Sequence, residues 1–340
     1  MTTNGGFVPH RPRPRPSRRE VVVFCKRGLP PRGHGSIIEN RAAGTEAGCA
    51  ERLMETPETR PTGVRVVLRW AWRICRVPLI AYLVVAAASM FMENHLIFFP
   101  TRYPGGVWKP EGLEYEDAWF SSADGVRLHG WHVPHDNPRA VILFCHGNAG
   151  NVTHRASVLK ILHDYAGASV MIFDYRGYGR SEGKPSGPGV LADARAARAW
   201  LAEREQIPES VIVLLGESIG GAVAVDLAAR DGARGLVLES TFDALPEVAA
   251  YHYPWLPVRW AMRTRLDSAS IIGRYRGPLL QAHGDADAIV PLQLGRRLFD
   301  AAGEPKRFVL LPGHDHNDPM PRNYYDELRQ FLDGLKGLTE

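Results

Sequence analysis

The sequence predicts an α/β fold: a mainly parallel central sheet with helices on both faces and a small cap insertion, preceded by one transmembrane helix. Three observations carry this. Short apolar runs recur through the C-terminal part: Ala140-Val-Ile-Leu-Phe-Cys145, Val170-Met-Ile-Phe173, Val211-Ile-Val-Leu-Leu215, Leu236-Val-Leu238, Pro278-Leu-Leu-Gln-Ala282 and Phe308-Val-Leu-Leu311. Unbroken apolar character of that length belongs to strands covered on both faces. Helical patterns lie between most of these runs, and strands alternating with helices assemble a parallel sheet. Finally, 340 residues that are 45% hydrophobic and 23% charged suffice for one large domain and exclude a wholly disordered or collagenous chain.

Residues 1–63 are expected to form a disordered basic arm. They open with Arg11-Pro-Arg-Pro-Arg-Pro16 and continue with Gly, Pro, Glu and Ala in no sustained period. Proline removes backbone donors and like charges repel, so such a segment cannot build a core. A basic lipid- or nucleic-acid-binding tail is the functional alternative, and Met54 offers an alternative start. Residues 1–76 hold 15 Lys and Arg against 6 Glu, a net +9, whereas the whole chain is +4. The remainder therefore carries −5, and nothing in its composition argues for a nucleic-acid partner.

Residues 64–100 are read as a juxtamembrane segment and transmembrane anchor. Arg65, Arg69, Arg73 and Arg76 precede Val77–Met92, sixteen residues without a formal charge. A span takes about 20 mostly apolar residues. Ile74 and Cys75 before the run and Leu96-Ile-Phe-Phe99 after it extend the apolar length, with Arg76 snorkelling to the interface. The arginines place the N-terminus in the cytoplasm and the rest of the chain on the extracytoplasmic side. A signal peptide cleaved near Ala86-Ala87-Ala88, which would release a secreted domain, is the alternative.

One domain is expected over residues 105–338. Val126-Arg-Leu-His-Gly-Trp-His-Val133 alternates as a half-buried strand does. Gly189–Arg204 places Val190, Ala194, Ala197 and Leu201 on one helical face; Leu294, Leu298 and Ala301 do the same, and Tyr324, Leu328, Leu332 and Leu335 line a last helix. No internal repeat is present. Residues 242–272 break the rhythm with Tyr251-His-Tyr-Pro-Trp-Leu-Pro-Val-Arg-Trp260, read either as a cap over an apolar pocket or as a helix–loop packed on the core. Cys25, Cys49, Cys75 and Cys145 show neither disulfide nor zinc spacing.

The chemistry concentrates at Val211-Ile-Val-Leu-Leu-Gly-Glu-Ser-Ile-Gly-Gly221, where a buried strand passes through G-E-S-I-G into a small-residue helix. This is the strand, tight turn and helix of a nucleophile elbow with Ser218 at its tip. A serine hydroxyl needs a base, and the base an orienting acid. Asp287 and Asp285 follow one late strand in His283-Gly-Asp-Ala-Asp-Ala-Ile-Val-Pro291; His314 and His316 follow the next in Pro312-Gly-His-Asp-His-Asn-Asp318. Asp243 is a further candidate acid. Backbone N–H groups for an oxyanion are expected from Ile219, directly after the serine, and from Asn148 or Ala149 in His146-Gly-Asn-Ala-Gly150. His146 is read as shaping that loop, and Arg176 and Arg180 as shaping the loop after Asp174. His314, Asp315, His316 and Asp318, with His283 and Asp285, are ligand types, but no H-E-x-x-H or cysteine pair accompanies them. No metal and no cofactor is expected.

Together, Phe144-Cys-His-Gly-Asn-Ala-Gly-Asn151, Asp174-Tyr-Arg-Gly-Tyr-Gly-Arg-Ser-Glu-Gly183, the G-E-S-I-G-G elbow, H-G-x-x-D-x-x-V-P and H-N-D resemble the α/β-hydrolase superfamily. More narrowly, the match from about Leu96 to Leu335 resembles the alpha/beta hydrolase domain-containing subgroup of membrane-associated serine hydrolases and protein depalmitoylases. The resemblance implies an α/β-hydrolase fold with Ser218 as nucleophile. It selects Asp287 over Asp285 as acid and His316 over His314 as base. It implies cleavage of a carboxylic ester or thioester, in a lipid or an acyl-protein, through an acyl-enzyme. Amide or peptide cleavage on the same triad, and a non-catalytic binding scaffold, are the alternatives.

Overall fold

The apolar runs pair into one eight-stranded sheet in a computed structural model that describes residues 63–335. The arm expected over residues 1–63, Gly63 apart, lies outside those residues, as do Met54, Cys25 and Cys49. The long helix α1 (Gly63–Phe91) and the short α2 (Glu93–Ile97) lead to β1 (Phe99–Pro100), which pairs in parallel with β5 (Ala149–Gly150) as a separate small ribbon. The main sheet is made of β2 (Glu116–Ser121), β3 (Arg127–Val133), β4 (Ala140–Cys145), β6 (Ala168–Asp174), β7 (Val213–Glu217), β8 (Gly235–Glu239), β9 (Leu279–Gly284) and β10 (Lys306–Leu311). Its order is β10-β9-β8-β7-β4-β6-β3-β2. Pairs from β6 across to β10 are parallel, while β3 runs antiparallel to both β6 and β2.

Strand residues divide between two cores with period two, as a pleated sheet requires. Val141, Leu143 and Cys145 of β4 join the core with α4 (Gly187–Glu205), α5 (Ile219–Asp231), α8 (Ala269–Ile272) and α9 (Leu292–Ala301). Ala140, Ile142 and Phe144 join the opposite core with α3 (Ala156–Asp164) and α10 (Arg322–Gly334). Every residue of β4 is buried, the physical reason its sequence shows no alternation. Strand β2 carries no apolar run: at the sheet edge only Ala118 is fully buried. Strand β7 starts two residues later than the Val211 run, because Glu209–Val211 form a 3-10 turn, and continues to Glu217.

Residues 242–272 form α6 (Leu245–His252), α7 (Val258–Ala261) and α8 with connecting loops, and expose Tyr251, Tyr253, Trp255 and Trp260, the last to 91%. Helix α1 buries none of its residues and continues through Pro78. Its 29 residues at 1.5 Å each give about 43 Å, more than the ~30 Å hydrocarbon thickness of a bilayer. Among the described residues it is the one helix long and apolar enough to cross a membrane.

Register sets where the functional segments meet. Cys145 pairs with Gly216, Glu217 with Glu239, Glu239 with Ala282 and Leu311 with Gly284. The loops leaving β4, β7, β9 and β10 therefore open at one edge of the sheet, the C-terminal edge, where open α/β sheets bind ligands.

Candidate active site

Ser218 links β7 to α5 with φ 54° and ψ −118°. That strained conformation is held from three sides: the Ser218 N–H donates to the Glu239 carbonyl (2.8 Å), and its carbonyl accepts from the Thr241 hydroxyl (2.7 Å) and the Gly221 N–H (3.0 Å). Strand and helix cross so closely that side chains cannot fit. A Cβ on Gly216 would lie 2.5 Å from the Gly220 oxygen, and one on Gly220 would overlap the Cys145 carbonyl.

Asp287 follows β9 and His316 follows β10. The His316 Nδ1–H donates to Asp287 Oδ2 (2.8 Å), and the Ser218 hydroxyl lies 3.1 Å from His316 Nε2. A carboxylate only accepts, so the imidazole proton sits on Nδ1 and leaves Nε2 to accept from the serine. The other Asp287 oxygen accepts from the N–H groups of Val290 (2.7 Å) and Ile289 (3.0 Å). Buried His283 lies 3.3 Å from Oδ2 through Nε2, which donates to the Val290 carbonyl at 2.8 Å. Burial opposes ionisation of Asp287, but the bonds from His283 and His316 outweigh it and hold the carboxyl well below its ordinary range.

The two loops also brace each other. Asp315 Oδ1 accepts from the N–H groups of Ala288 and His316, both at 2.8 Å, and Asp285 accepts from Gly313 N–H at 2.6 Å. Of the competing candidates, His314 turns to the Pro312 carbonyl (3.2 Å) and Asp243 pairs with Arg297 (2.6 Å). Neither meets Ser218. Among the described residues no group of three or more His, Cys, Asp or Glu is arranged to hold a metal ion, and Cys75 and Cys145 are free thiols.

The loop after β4 is fastened by side chains. Asn148 donates from Nδ2 to the Ile97 carbonyl, and its Oδ1 accepts from the Tyr178 hydroxyl (3.0 Å) and Phe99 N–H (3.4 Å). The backbone N–H of Asn148 has no acceptor among the described residues, and Ile219 begins α5, where helix amides lack intrahelical partners. His146 donates from Nδ1 to the Gly147 carbonyl (2.7 Å). Burial, with Arg155 nearby, lowers its pKa to about 4, so it stays neutral and structural. Arg176 binds Asp193 and Asp124 (both 2.7 Å), and Arg180 lies over Trp108 (4.5 Å) and Tyr103 (5.0 Å).

Sequence reasoning missed the pair beneath this loop. Arg155 grips Glu217 with two N–H groups (2.8 and 3.1 Å) and gives a third to the Ala149 carbonyl (3.1 Å). Burial resists a charge on Glu217, yet Arg155 keeps its pKa below the ordinary value. The signal was the acidic residue inside G-E-S-I-G, which demands a cation. Also missed was Glu239, paired with the Tyr324 hydroxyl, whose carboxyl burial pushes up to about 7.

Comparison with known proteins bears on the family and the fold. Residues 136–269 match the family described as "Serine aminopeptidase, S33". An uncharacterised Mycobacterium tuberculosis protein is 41% identical over 76% of this chain and 95% of its own length. The Arabidopsis thaliana alpha/beta hydrolase domain-containing protein WAV2 is 34% identical over 65% and 79%. A Saccharomyces cerevisiae protein, described as a membrane protein, is 29% identical over 77% and 97%. Among solved structures, the Pyrococcus furiosus esterase Pf2001 superimposes with a TM-score of 0.57 over 69% of this chain and 98% of that one, at 20% identity. That likeness is one of fold. The extent of the sequence matches makes the assignment plain: this chain belongs to the α/β-hydrolase superfamily.

Proposed function

We propose that the protein is a membrane-anchored serine hydrolase cleaving a carboxylic ester or thioester through an acyl-enzyme. The observation that carries the reading is His316 standing between Asp287 (2.8 Å) and Ser218 (3.1 Å). Ser218 Oγ attacks the acyl carbon as His316 Nε2 takes the hydroxyl proton, and the Asp287 carboxylate balances the imidazolium. The N–H groups of Asn148 and Ile219 receive the oxyanion, each such donor being worth about 2.7–4 kcal/mol in comparable sites. The leaving alcohol or thiol departs with the proton from Nε2. Water, deprotonated by the same nitrogen, then releases the acid and restores Ser218.

The hydrolase domain is assigned to residues 105–338, with 242–272 as its cap, and α1 as an uncleaved anchor. The arginines before Val77 support a cytoplasmic N-terminus and an extracytoplasmic catalytic domain. The name of the matched family favours a second reading, amide cleavage of a peptide N-terminus. An ester and an amide of the same acyl group separate the two. The first reading expects a stoichiometric alcohol burst from the ester and no measurable turnover of the amide. Amide turnover that is lost in Ser218→Ala supports the second, and turnover that survives Ser218→Ala contradicts both.

A further inference from the structure

Asp287 is approached by a second imidazole that a Ser-His-Asp triad does not require. His283 stands near the end of β9, four residues before the acid, and is fully buried. A Cβ on Gly295 of α9 would overlap its Nδ1, so that glycine makes the room for the ring. Gln281 holds the same turn of the helix by donating from Nε2 to the Gly295 carbonyl (2.8 Å). The imidazole is therefore fixed from the side of α9 before any contact with the acid is counted.

Two acceptors face its Nε2, the Val290 carbonyl at 2.8 Å and Asp287 Oδ2 at 3.3 Å. Both only accept, so the ring proton sits on Nε2. Nδ1 is buried and has no partner among the described residues. An acceptor left in that state costs stability, and an apolar side chain of similar size would avoid the cost. What justifies a histidine here is its single N–H. The oxygen it approaches is the one that accepts from His316 Nδ1 (2.8 Å), while Oδ1 takes the N–H groups of Ile289 (3.0 Å) and Val290 (2.7 Å). Val290 closes the circuit, its N–H going to Oδ1 and its carbonyl to His283.

We infer that His283 is a positioning residue for the base: its one N–H, shared between the Val290 carbonyl and Asp287, fixes the oxygen that His316 must bond and draws off part of its charge. The inference rests on the triad reading above. A carboxylate relieved of charge in this way holds the His316 imidazolium less tightly, so the base regains its proton-accepting form at lower pH. Removing the donor reverses this, and the acid limb of the rate profile moves up. The other charged and titratable groups around the acid loop stay in place. Asp285 accepts from Gly313 N–H, and Asp315 from the N–H groups of Ala288 and His316. His252 of α6 donates from Nε2 to the Ile289 carbonyl (2.8 Å), Arg297 of α9 pairs with Asp243 (2.6 Å), and His314 turns to the Pro312 carbonyl (3.2 Å).

The test follows the rate of fluorophosphonate labelling of the full chain in phosphatidylcholine vesicles, from about pH 5 to 9. His283→Leu removes the donor, and His283→Gln restores one at the position of Nε2. In His283→Leu the plateau rate is expected to fall about tenfold, far short of the ~10⁴ attached to the acid itself. Its acid-limb midpoint is expected to rise by about 0.5 pH unit or more, whereas His283→Gln stays within about threefold in rate and about 0.2 unit in midpoint. A midpoint does not depend on how much of the chain is folded, so a poorly folding variant still reports. A lower rate with an unmoved midpoint means that the ring only fills space, and it overturns the inference. A shift in His283→Gln equal to that in His283→Leu overturns it as well. One measurement needs no variant activity: ¹⁵N-histidine NMR of the wild type is expected to show His283 protonated on Nε2 and bare on Nδ1, and the reverse tautomer refutes the shared bond. A wild type that leaves Ser218 unlabelled refutes the hydrolase reading and this inference with it. Labelling lost in Ser218→Ala upholds that reading, and the variants then judge His283 alone.

Discussion

Replacing Asp287 with Asn changes one atom and should disable the base. In the native site Oδ1 accepts from the Ile289 and Val290 N–H groups (3.0 and 2.7 Å), and Oδ2 accepts from His316 Nδ1 (2.8 Å). Asparagine keeps its one oxygen where two backbone donors converge, so its NH₂ lands opposite Nδ1. A donor then faces a donor. His316 resolves this by moving its proton to Nε2, the nitrogen that must accept from Ser218 at 3.1 Å. Loss of the correct tautomer in a triad of this design lowers kcat by about 10⁴, or ~5 kcal/mol of transition-state stabilisation. The change is confined to kcat, since Asp287 contacts no substrate in the proposed mechanism, and KM should stay within a few fold. Asp285→Asn is the matched control: it retains the oxygen that accepts from Gly313 N–H (2.6 Å) and should hold kcat within about threefold. Stopped-flow burst and steady-state rates on one activated ester measure both. If Asp287→Asn keeps kcat within tenfold of wild type, or Asp285→Asn falls as far, the assignment of the acid is wrong.

Gly220→Ala should destabilise the fold by about 3 kcal/mol, the upper part of the overpacking range, because its Cβ overlaps the Cys145 carbonyl on a neighbouring strand. Urea unfolding reads this directly, and a loss under 1 kcal/mol would contradict the close crossing. Arg155→Ala removes the clamp on Glu217 and the Ala149 carbonyl. It should lower kcat about tenfold with little change in KM, less than loss of a whole oxyanion donor; an effect on KM alone would argue against a role in positioning the loop. Burial raises the Glu239 carboxyl from 4.5 to about 7, so the folded chain holds a proton that the unfolded chain releases between those values. Stability from this group is complete below pH ~4.5, falls as pH rises through about 7, and is level above. Glu239→Gln keeps an acceptor for Tyr324 and abolishes the titration. Wild type should therefore lose about 3 kcal/mol relative to the variant between pH 5 and 8, and parallel urea profiles would refute this.

How far the sequence reveals this molecule depends on whether the deciding contacts are local. The buried parallel strands are legible because burial on both faces leaves an unbroken apolar run, and Ala140–Cys145 is a strand over that whole stretch. The edge strand Glu116–Ser121 is not, because with one fully buried residue it has no apolar signature. The elbow is legible since Gly216, Ser218 and Gly220 lie within five residues and each answers a local steric demand. The choice between His314 and His316 is different. Both follow the same strand, two positions apart; the residue types leave the two open, the H-N-D resemblance favours His316, and it is the path of the loop that turns this ring to Asp287. Supporting residues are harder still: Glu93 reaches Arg263 and Thr264 across about 170 positions, and Arg155 reaches Glu217 across about 60. No period or motif records such pairings.

The central claim is that His316 makes the Ser218 hydroxyl nucleophilic. Intact-mass and peptide mapping after a fluorophosphonate probe measures that reactivity without presuming a substrate. The account predicts one phosphonyl group per chain, on the peptide containing Ser218, with labelling at least a hundredfold slower in His316→Ala and near wild type in His314→Ala. Labelling that persists in His316→Ala, or that disappears only in His314→Ala, would contradict it.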